Sequence, residues 1–515
     1  MSSISKQQNR WLVLGVMCIS LFIISIDTTV LHLALPSIAS DFNATTGQLQ
    51  WVVDAYNLIF ASLLITTGAL GDRYGRKLLL VIGLALFGLG SLGAALSVSA
   101  TMLVGFRALL GLAGALIMPS TLSSLTSYYR DGRERAKAIA IWSSIFSIGA
   151  GIGPIIGGIL INSFHWSAVF YLNLPIAALG IAGCFLWVPE SKDSRTPKPD
   201  FLGVLFSIVG VVSLVYATIL IGEKGWSEKL VWLSLGVAIL FITLFIWWEK
   251  RSANPMLPLE FFKNRNFSGA NISLTLSAFA MMGSMYLYSQ YFQSIEGYSP
   301  LIAALCMFPM TPVVFLSTML SVRVNRKLGT KRTMVLGLVL SGLSAFVFSQ
   351  VVHLHTNYLW FLLIQFLNGS GIGMTMSPAT SSIMNSLPPN RAGIGSAMND
   401  TTRQLGGALG VAVLGAFMNS IYRSDVSGLA SQPGITDALM ARISGRVQSA
   451  HVAAAQLSSK LGDLVFLTSS QAFVDGIKMA FLIASIAMLL AALCAWMILP
   501  SREKHMEVAP NTVEE

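Results

Sequence analysis

The chain has 515 residues, of which 54% are apolar and only 11% charged, with a mean hydropathy of +0.69. Soluble domains carry about 25% charged residues, and one anchor of about 20 residues would be diluted below this hydropathy by ordinary polar sequence. A soluble enzyme, a disordered chain and a disulfide scaffold are excluded; Cys18, Cys184, Cys306 and Cys494 each lie inside an apolar run.

Runs of about 18 or more mostly apolar residues predict fourteen membrane-spanning helices. Helix is expected because lipid cannot satisfy exposed backbone groups and the runs are too long for barrel strands. Six cover about 11–33, 48–70, 78–98, 101–122, 136–163 and 167–189. Two follow at 201–221 and 229–248, and six more at 267–292, 300–321, 333–352, 358–384, 393–420 and 474–499. The expected fold is an all-α polytopic membrane protein. Its divisions are a terminus over 1–10, a six-helix bundle over 11–189, a linker with two inserted helices over 190–266, a second six-helix bundle over 267–499 and a tail over 500–515. A faint repeat supports this division. Gly71-Asp72-Arg73-Tyr74-Gly75-Arg76-Lys77 follows the second span, and Asn325-Arg326-Lys327-Leu328-Gly329-Thr330-Lys331-Arg332, without the Asp, follows the tenth.

Lys and Arg decide the orientation. With a cytoplasmic N-terminus, 24 of the 33 fall in inner segments, among them Arg130, Arg133, Arg135 and Lys137 after the fourth span. The short outer loops hold only Lys224 and Lys229, so both termini are predicted to be cytoplasmic. The net charge of +10 then reflects topology rather than a nucleic-acid surface. The first run, over 20 residues long and followed at once by another, reads as an uncleaved span. The one long outer segment, 421–473, carries Ile435, Leu439, Ile443 and Val447 at spacing four, the pattern of an amphipathic cap.

An ionisable group inside a span costs about 2.5–3.5 kcal/mol on insertion scales, so such residues mark function. Five stand out: Asp27, Asp54, Arg107, Asp400 and Arg403. Asp27, Asp54 and Arg107 fall at a shared depth in the outer half of the first, second and fourth spans. There Arg107 would lower the cost of burying a carboxylate, and a carboxylate without such a partner would be a site for a proton. The other reading is an ion pair that locks helices. Asp400 and Arg403, three residues apart on one helix face, either act in transport or neutralise each other. On the ninth span Phe279, Met282, Tyr286 and Gln290 line one face with soft groups that suit ligands of different shape. Trp51 and Tyr56 offer aromatic faces for a cation or serve as belt residues.

The sequence has no Gly-x-x-x-x-Gly-Lys-Ser/Thr loop, no His-Glu-x-x-His pair and no metal spacing among its six His. With no recognisable nucleophile and base, and no filter-like segment, neither an enzyme nor a pore is expected. A carrier powered by an ion gradient, needing no cofactor and no metal, remains.

Several motifs resemble the major facilitator superfamily, and within it the fourteen-helix drug:proton antiporters. Gly68 through Asp72, Arg73, Gly75, Arg76 and Lys77 is similar to the superfamily's cytoplasmic gate loop. Gly149, Gly153, Pro154, Gly157 and Gly158 match the antiporter pattern Gly-x-x-x-Gly-Pro-x-x-Gly-Gly, in which glycines permit close helix approach and proline favours a kink. Arg107, in Leu103-x-x-x-Arg107-x-x-x-Gly111, resembles the fourth-helix motif whose Arg is implicated in proton transfer. Asp27-Thr28-Thr29-Val30 resembles the first-helix motif and Gly395 through Gly407 the thirteenth-helix segment, although Asp400 stands where an uncharged residue is common.

The resemblance implies a proton-coupled multidrug exporter of lipophilic cations in a bacterial plasma membrane, and a monomer without a nucleic-acid partner is expected. In this reading Asp27, with Asp54, holds either a proton or a cationic substrate while two bundles rock about a central cavity. The alternatives are a carrier of the same fold with one substrate, such as an antibiotic, a metabolite or a metal chelate, and a membrane sensor that has lost transport.

Overall fold

A computed structural model describes residues 2–44, 46–192, 200–224, 228–252, 255, 259–388, 391–445 and 447–500. Among them there is no strand. The N-terminal half is α1 (Ser2–Phe42), α2 (Thr46–Tyr74), α3 (Arg76–Ala95), α4 (Ala100–Tyr128), α5 (Gly132–Ser163), α6 (Ala168–Tyr171) and α7 (Asn173–Trp187). Two helices follow, α8 (Phe201–Lys224) and α9 (Lys229–Glu249). The C-terminal half is α10 (Arg265–Ser294), α11 (Pro300–Met307), α12 (Met310–Leu328), α13 (Thr330–Val351), α14 (Tyr358–Asn385) and α15 (Ala392–Val426), then α16 (Asp437–Gly445), α17 (Val447–Ala454) and α18 (Ser459–Ile498).

Among the described residues eleven helices are long and apolar enough to cross a membrane, or twelve when α2, bent by 53° between Leu64 and Thr66, counts as one span. The apolar stretch of α8, Leu202–Ala217, is shorter. Helix α10 falls outside that set because Asn271, Ser273, Thr275, Ser277 and Ser284 dilute its apolar content. Polar side chains bond locally where they interrupt a helix: Asn271 donates to the Phe267 carbonyl and Ser273 to that of Gly269.

Each half has its own core. One apolar cluster gathers Leu21, Tyr56, Phe60, Leu84, Phe87 and Trp142; a second gathers Phe267, Leu287, Tyr291, Phe348, Phe361 and Phe481. The halves also repeat one another. Gly75, between α2 and α3, and Gly329, between α12 and α13, both take positive φ, 124° and 79°, which a side chain disfavours. Helices α4 and α14 each carry an interior proline, Pro119 and Pro378. Helix α8 lies against both α2 and α15, with Val211 and Val215 packed beside Ala61, Leu58 and Leu405.

Chain alternation gives the bundle a basic end, holding the turns at 75, 129–131, 188–191 and 329, and a far end opposite it. The outer segment expected over 421–473 is shorter than its polarity suggested. Helix α15 continues to Val426 and α18 starts at Ser459, because Tyr422, Val426, Val465 and Phe473 bury one another there. Ile443 and Val447 are buried while Ile435 and Leu439 pack against the same core, so this face covers the C-terminal half. Tyr422 donates to the Ile443 carbonyl at 2.7 Å and anchors the cap.

Candidate functional site

Asp27 and Arg107 meet inside the N-terminal half. Arg107 Nη1 lies 2.5 Å from Asp27 Oδ2, and both side chains are about 2% exposed. The guanidinium also donates to the Val52 carbonyl at 3.0 Å and sits 4.4 Å over the Tyr56 ring. Asn173 Nδ2 donates to Asp27 Oδ1 and to Ser91 Oγ, both at 3.1 Å. Five elements, α1, α2, α3, α4 and α7, thus converge on one buried charge pair, as a charge in low dielectric requires. Tyr56 is spent on Arg107, and its ring presents no free face to a ligand. The side chain of Asp54 lies outside the described residues.

Asp400 and Arg403 behave differently. Among the described residues no ion pair joins them, although they share a helix face. Arg403 reaches across to α5 and sits 4.7 Å over the Phe146 ring, so its charge bridges the two halves. Asp400 is fully buried; Asn399 donates to its Oδ1 at 3.0 Å, and its Oδ2 has no hydrogen-bond partner among the described residues. Asn399 is itself held by Thr380 of α14 at 2.9 Å. Among the described residues the buried carboxylates Asp27 and Asp400 therefore differ: Asp27 is compensated by a cation, and Asp400 keeps one buried oxygen without a hydrogen-bond partner.

At the basic end Asp72 joins the halves. Its carboxylate accepts from Arg76 Nε at 3.0 Å and Nη2 at 2.6 Å, and from the first amides of α15, Gly393 at 2.8 and 3.0 Å and Ile394 at 3.3 Å. These two bare amides and the helix dipole at that N-terminus favour an anion there. Gly68 and Gly393 let the backbones of α2 and α15 touch: a Cβ on Gly68 would lie 2.5 Å from the Gly393 carbonyl and 2.6 Å from Ala397. Gly75 abuts Glu190, whose carboxylate accepts the amides of Lys77 and Leu78 at 3.1 Å. Arg73 lies over Tyr74 and Lys77 over Phe185. This end of the molecule is closed.

The glycines of α5 form two seams. Gly149, Gly153 and Gly157 face α1 at Ser25, Thr29 and Val30, the residues flanking Asp27, while Gly158 faces Leu301 of α11 across the halves. Ser25 Oγ donates to the Phe146 carbonyl at 2.6 Å. The Pro154 side chain lies outside the described residues. The stripe Phe279, Met282, Tyr286 and Gln290 is half-buried and turned chiefly toward α15, where Gly407 and Gly410 leave room for Met282 and the Phe279 backbone. Gln290 accepts from Gln448 of the cap at 3.1 Å. Trp51 is 45% exposed and stacks on Tyr216 of α8 at 6.2 Å.

Asn173, Phe146 and Glu190 were missed in the sequence. Asn173 had a readable signal, as the one amide in an apolar run; Phe146 and Glu190 are defined only by what faces them. Outside the spans, Asp131 caps α5 by accepting from the amides of Glu134 and Arg133, and the Glu134 amide bond leads in holding its carboxyl below the ordinary value.

The Major Facilitator Superfamily model matches residues 17–411. The multidrug efflux pump LfrA of Mycolicibacterium smegmatis is 34% identical over 486 residues, covering 94% of this chain and 95% of that protein. The multidrug resistance protein Stp of Mycobacterium tuberculosis is 30% identical over 503 residues, covering 95% and 91%. The solved proton:xylose symporter XylE shares the fold with a TM-score of 0.61 at 14% identity, covering 96% of this chain and 97% of the symporter.

Proposed function

The chain belongs to the Major Facilitator Superfamily, and from that premise we propose a proton-coupled exporter of lipophilic cationic compounds that works by alternating access. Relatives named as multidrug efflux and resistance proteins support an exporter. Proton coupling is argued from one observation, the buried Asp27–Arg107 pair. When a proton from outside binds Asp27, the pair loses its attraction and Arg107 is left buried without a counter-charge. Such a state is disfavoured by about 3–5 kcal/mol, so α1 and α4 must rearrange. Because the α5 glycines clasp α1 beside Asp27, that rearrangement reaches the seam between the halves. Release of the proton inside restores the pair and the starting arrangement.

The cationic substrate is drawn to the interface by Asp400, whose buried Oδ2 has no hydrogen-bond partner among the described residues in this state. Fourteen spans, with α8 and α9 as a peripheral pair and both termini in the cytoplasm of a bacterial cell, complete the proposal. The basic end is then the cytoplasmic gate, closed by Asp72 in this state. The protein acts as a monomer, with the proton gradient in place of any cofactor.

The test is uptake of a lipophilic monocation into or out of proteoliposomes under an imposed pH gradient, for the parent, Asp27→Asn, Arg107→Ala and Asp400→Asn. Gradient-driven transport should vanish in Asp27→Asn with reconstitution unimpaired, and substrate affinity should fall in Asp400→Asn. Parental rates in Asp27→Asn would refute the coupling assignment.

A further inference from the structure

A cavity of about 470 Å³ opens at the basic end, within the N-terminal half and away from the interface. Arg10 of α1, Ser124, Ser127 and Tyr128 of α4, Arg130 just beyond it and Glu190 after α7 line it. Two guanidiniums and two carboxylates meet around it, but among the described residues only one pair of them is bonded. Arg10 Nη1 bonds Glu134 at 2.6 Å. Glu190 is satisfied by three backbone amides, those of Lys77 and Leu78 at 3.1 Å and its own neighbour Ser191 at 2.9 Å. Arg130 has no ion-pair or hydrogen-bond partner among the described residues. Ser124 Oγ is buried in the wall, also without a partner. An unmatched guanidinium and an unsatisfied hydroxyl converge on one hollow, a donor set suited to a phosphate group.

Two features fix its depth. Trp11, 56% exposed with Lys137 5.1 Å over its ring, and Trp187, 38% exposed, stand at this end as interfacial aromatics do. The hollow therefore lies at headgroup level, open to lipid phosphates and to solutes. We infer that this cavity binds a phosphate-bearing anion, with Arg130 as its charge partner. The occupant touches the gate: Ser127 also accepts from Arg76, and Glu190 holds the first turn of α3. A filled cavity thus braces the α2–α3 turn and Arg76, the partner of Asp72.

The purified full chain is titrated in detergent with short-chain phosphatidylglycerol, short-chain phosphatidylcholine and inorganic phosphate, with adducts counted by native mass spectrometry. Phosphatidylglycerol should saturate one site, with affinity lowered about tenfold or more in Arg130→Glu and mostly retained in Arg130→Lys. Saturation by inorganic phosphate as well would assign a soluble phosphate compound as occupant; saturation by the lipid alone would assign a headgroup. Arg130 is exposed, so the variants leave the core intact, and circular dichroism checks this. Equal binding of phosphatidylcholine, unchanged binding in Arg130→Glu, or no saturable binding by either anion would overturn the inference.

Discussion

Closure of the basic end should fail in a graded way when one atom is added at Gly393. A Cβ there would lie 2.6 Å from Asp72 Oδ1 and 2.7 Å from its Cγ, and would also strike the Gly68 carbonyl. Ordinary contact begins near 3.4 Å, so clearing Asp72 Oδ1 takes about 0.8 Å and clearing the nearer Gly68 carbonyl takes more; α15 must back away from α2, stretching the Gly393 and Ile394 amide bonds to Asp72. Overpacking of this kind costs about 1–3 kcal/mol. The clash exists only while the end is closed, so the whole cost falls on that state. The ratio of open to closed molecules should rise about 5- to 160-fold in Gly393→Ala. Spin labels at Tyr74→Cys on α2 and Leu328→Cys on α12, both exposed at this end, report the opening as a second, longer distance. Gly105→Ala, where a Cβ meets nothing within 4 Å, serves as control. A distance distribution in Gly393→Ala that matches the control would show that the α2–α15 contact does not hold the end shut.

The charge pair makes a stability prediction separate from transport. Arg107→Ala leaves Asp27 with Asn173 alone and strips the Val52 carbonyl of its donor, so it should cost about 3–5 kcal/mol, and Asp27→Asn/Arg107→Leu should cost less than the two single changes summed. Thermal unfolding in detergent measures this; strict additivity would mean the pair is not coupled. The cap carries a pH dependence. His451 accepts or donates at Ser470 Oγ at 2.9 Å and lies 4.3 Å from the Phe466 ring, and burial pushes its pKa below the ordinary 6.5. The unfolded state therefore binds the proton first as pH falls, so this contribution to cap stability is fully present above pH 6.5 and is lost as pH drops from 6.5 toward the lower folded value. Hydrogen exchange across residues 447–454 should accelerate at pH 5 relative to pH 7.5, beyond the intrinsic change, and His451→Gln should abolish the difference; equal protection at both pH values would refute it.

The linear sequence determined that the apolar runs are helical, because an apolar run has no other way to satisfy its backbone in lipid. It also determined which residues were too costly to be idle, since Asp27, Arg107, Asp400 and Arg403 each pay for burial wherever their partners lie. The shared depth of Asp27 and Arg107 was legible from their positions along α1 and α4, and the gate loop from Asp72 and its glycines. What the tertiary structure decided is how each helix is turned about its axis. A lipid-facing helix is apolar nearly all round, so periodicity names no inner face; the face is chosen by which chain-distant helix offers a small residue or a matching polar group. That choice gave Asp27 a second partner in Asn173 and spent Tyr56 on Arg107. It also sent Arg403 to Phe146 rather than to Asp400, and turned the Phe279–Gln290 stripe onto the glycines of α15. The cap was shortened for the same reason: burial of Tyr422, Val426, Val465 and Phe473 against one another prolonged two helices beyond the point where local polarity predicted their ends.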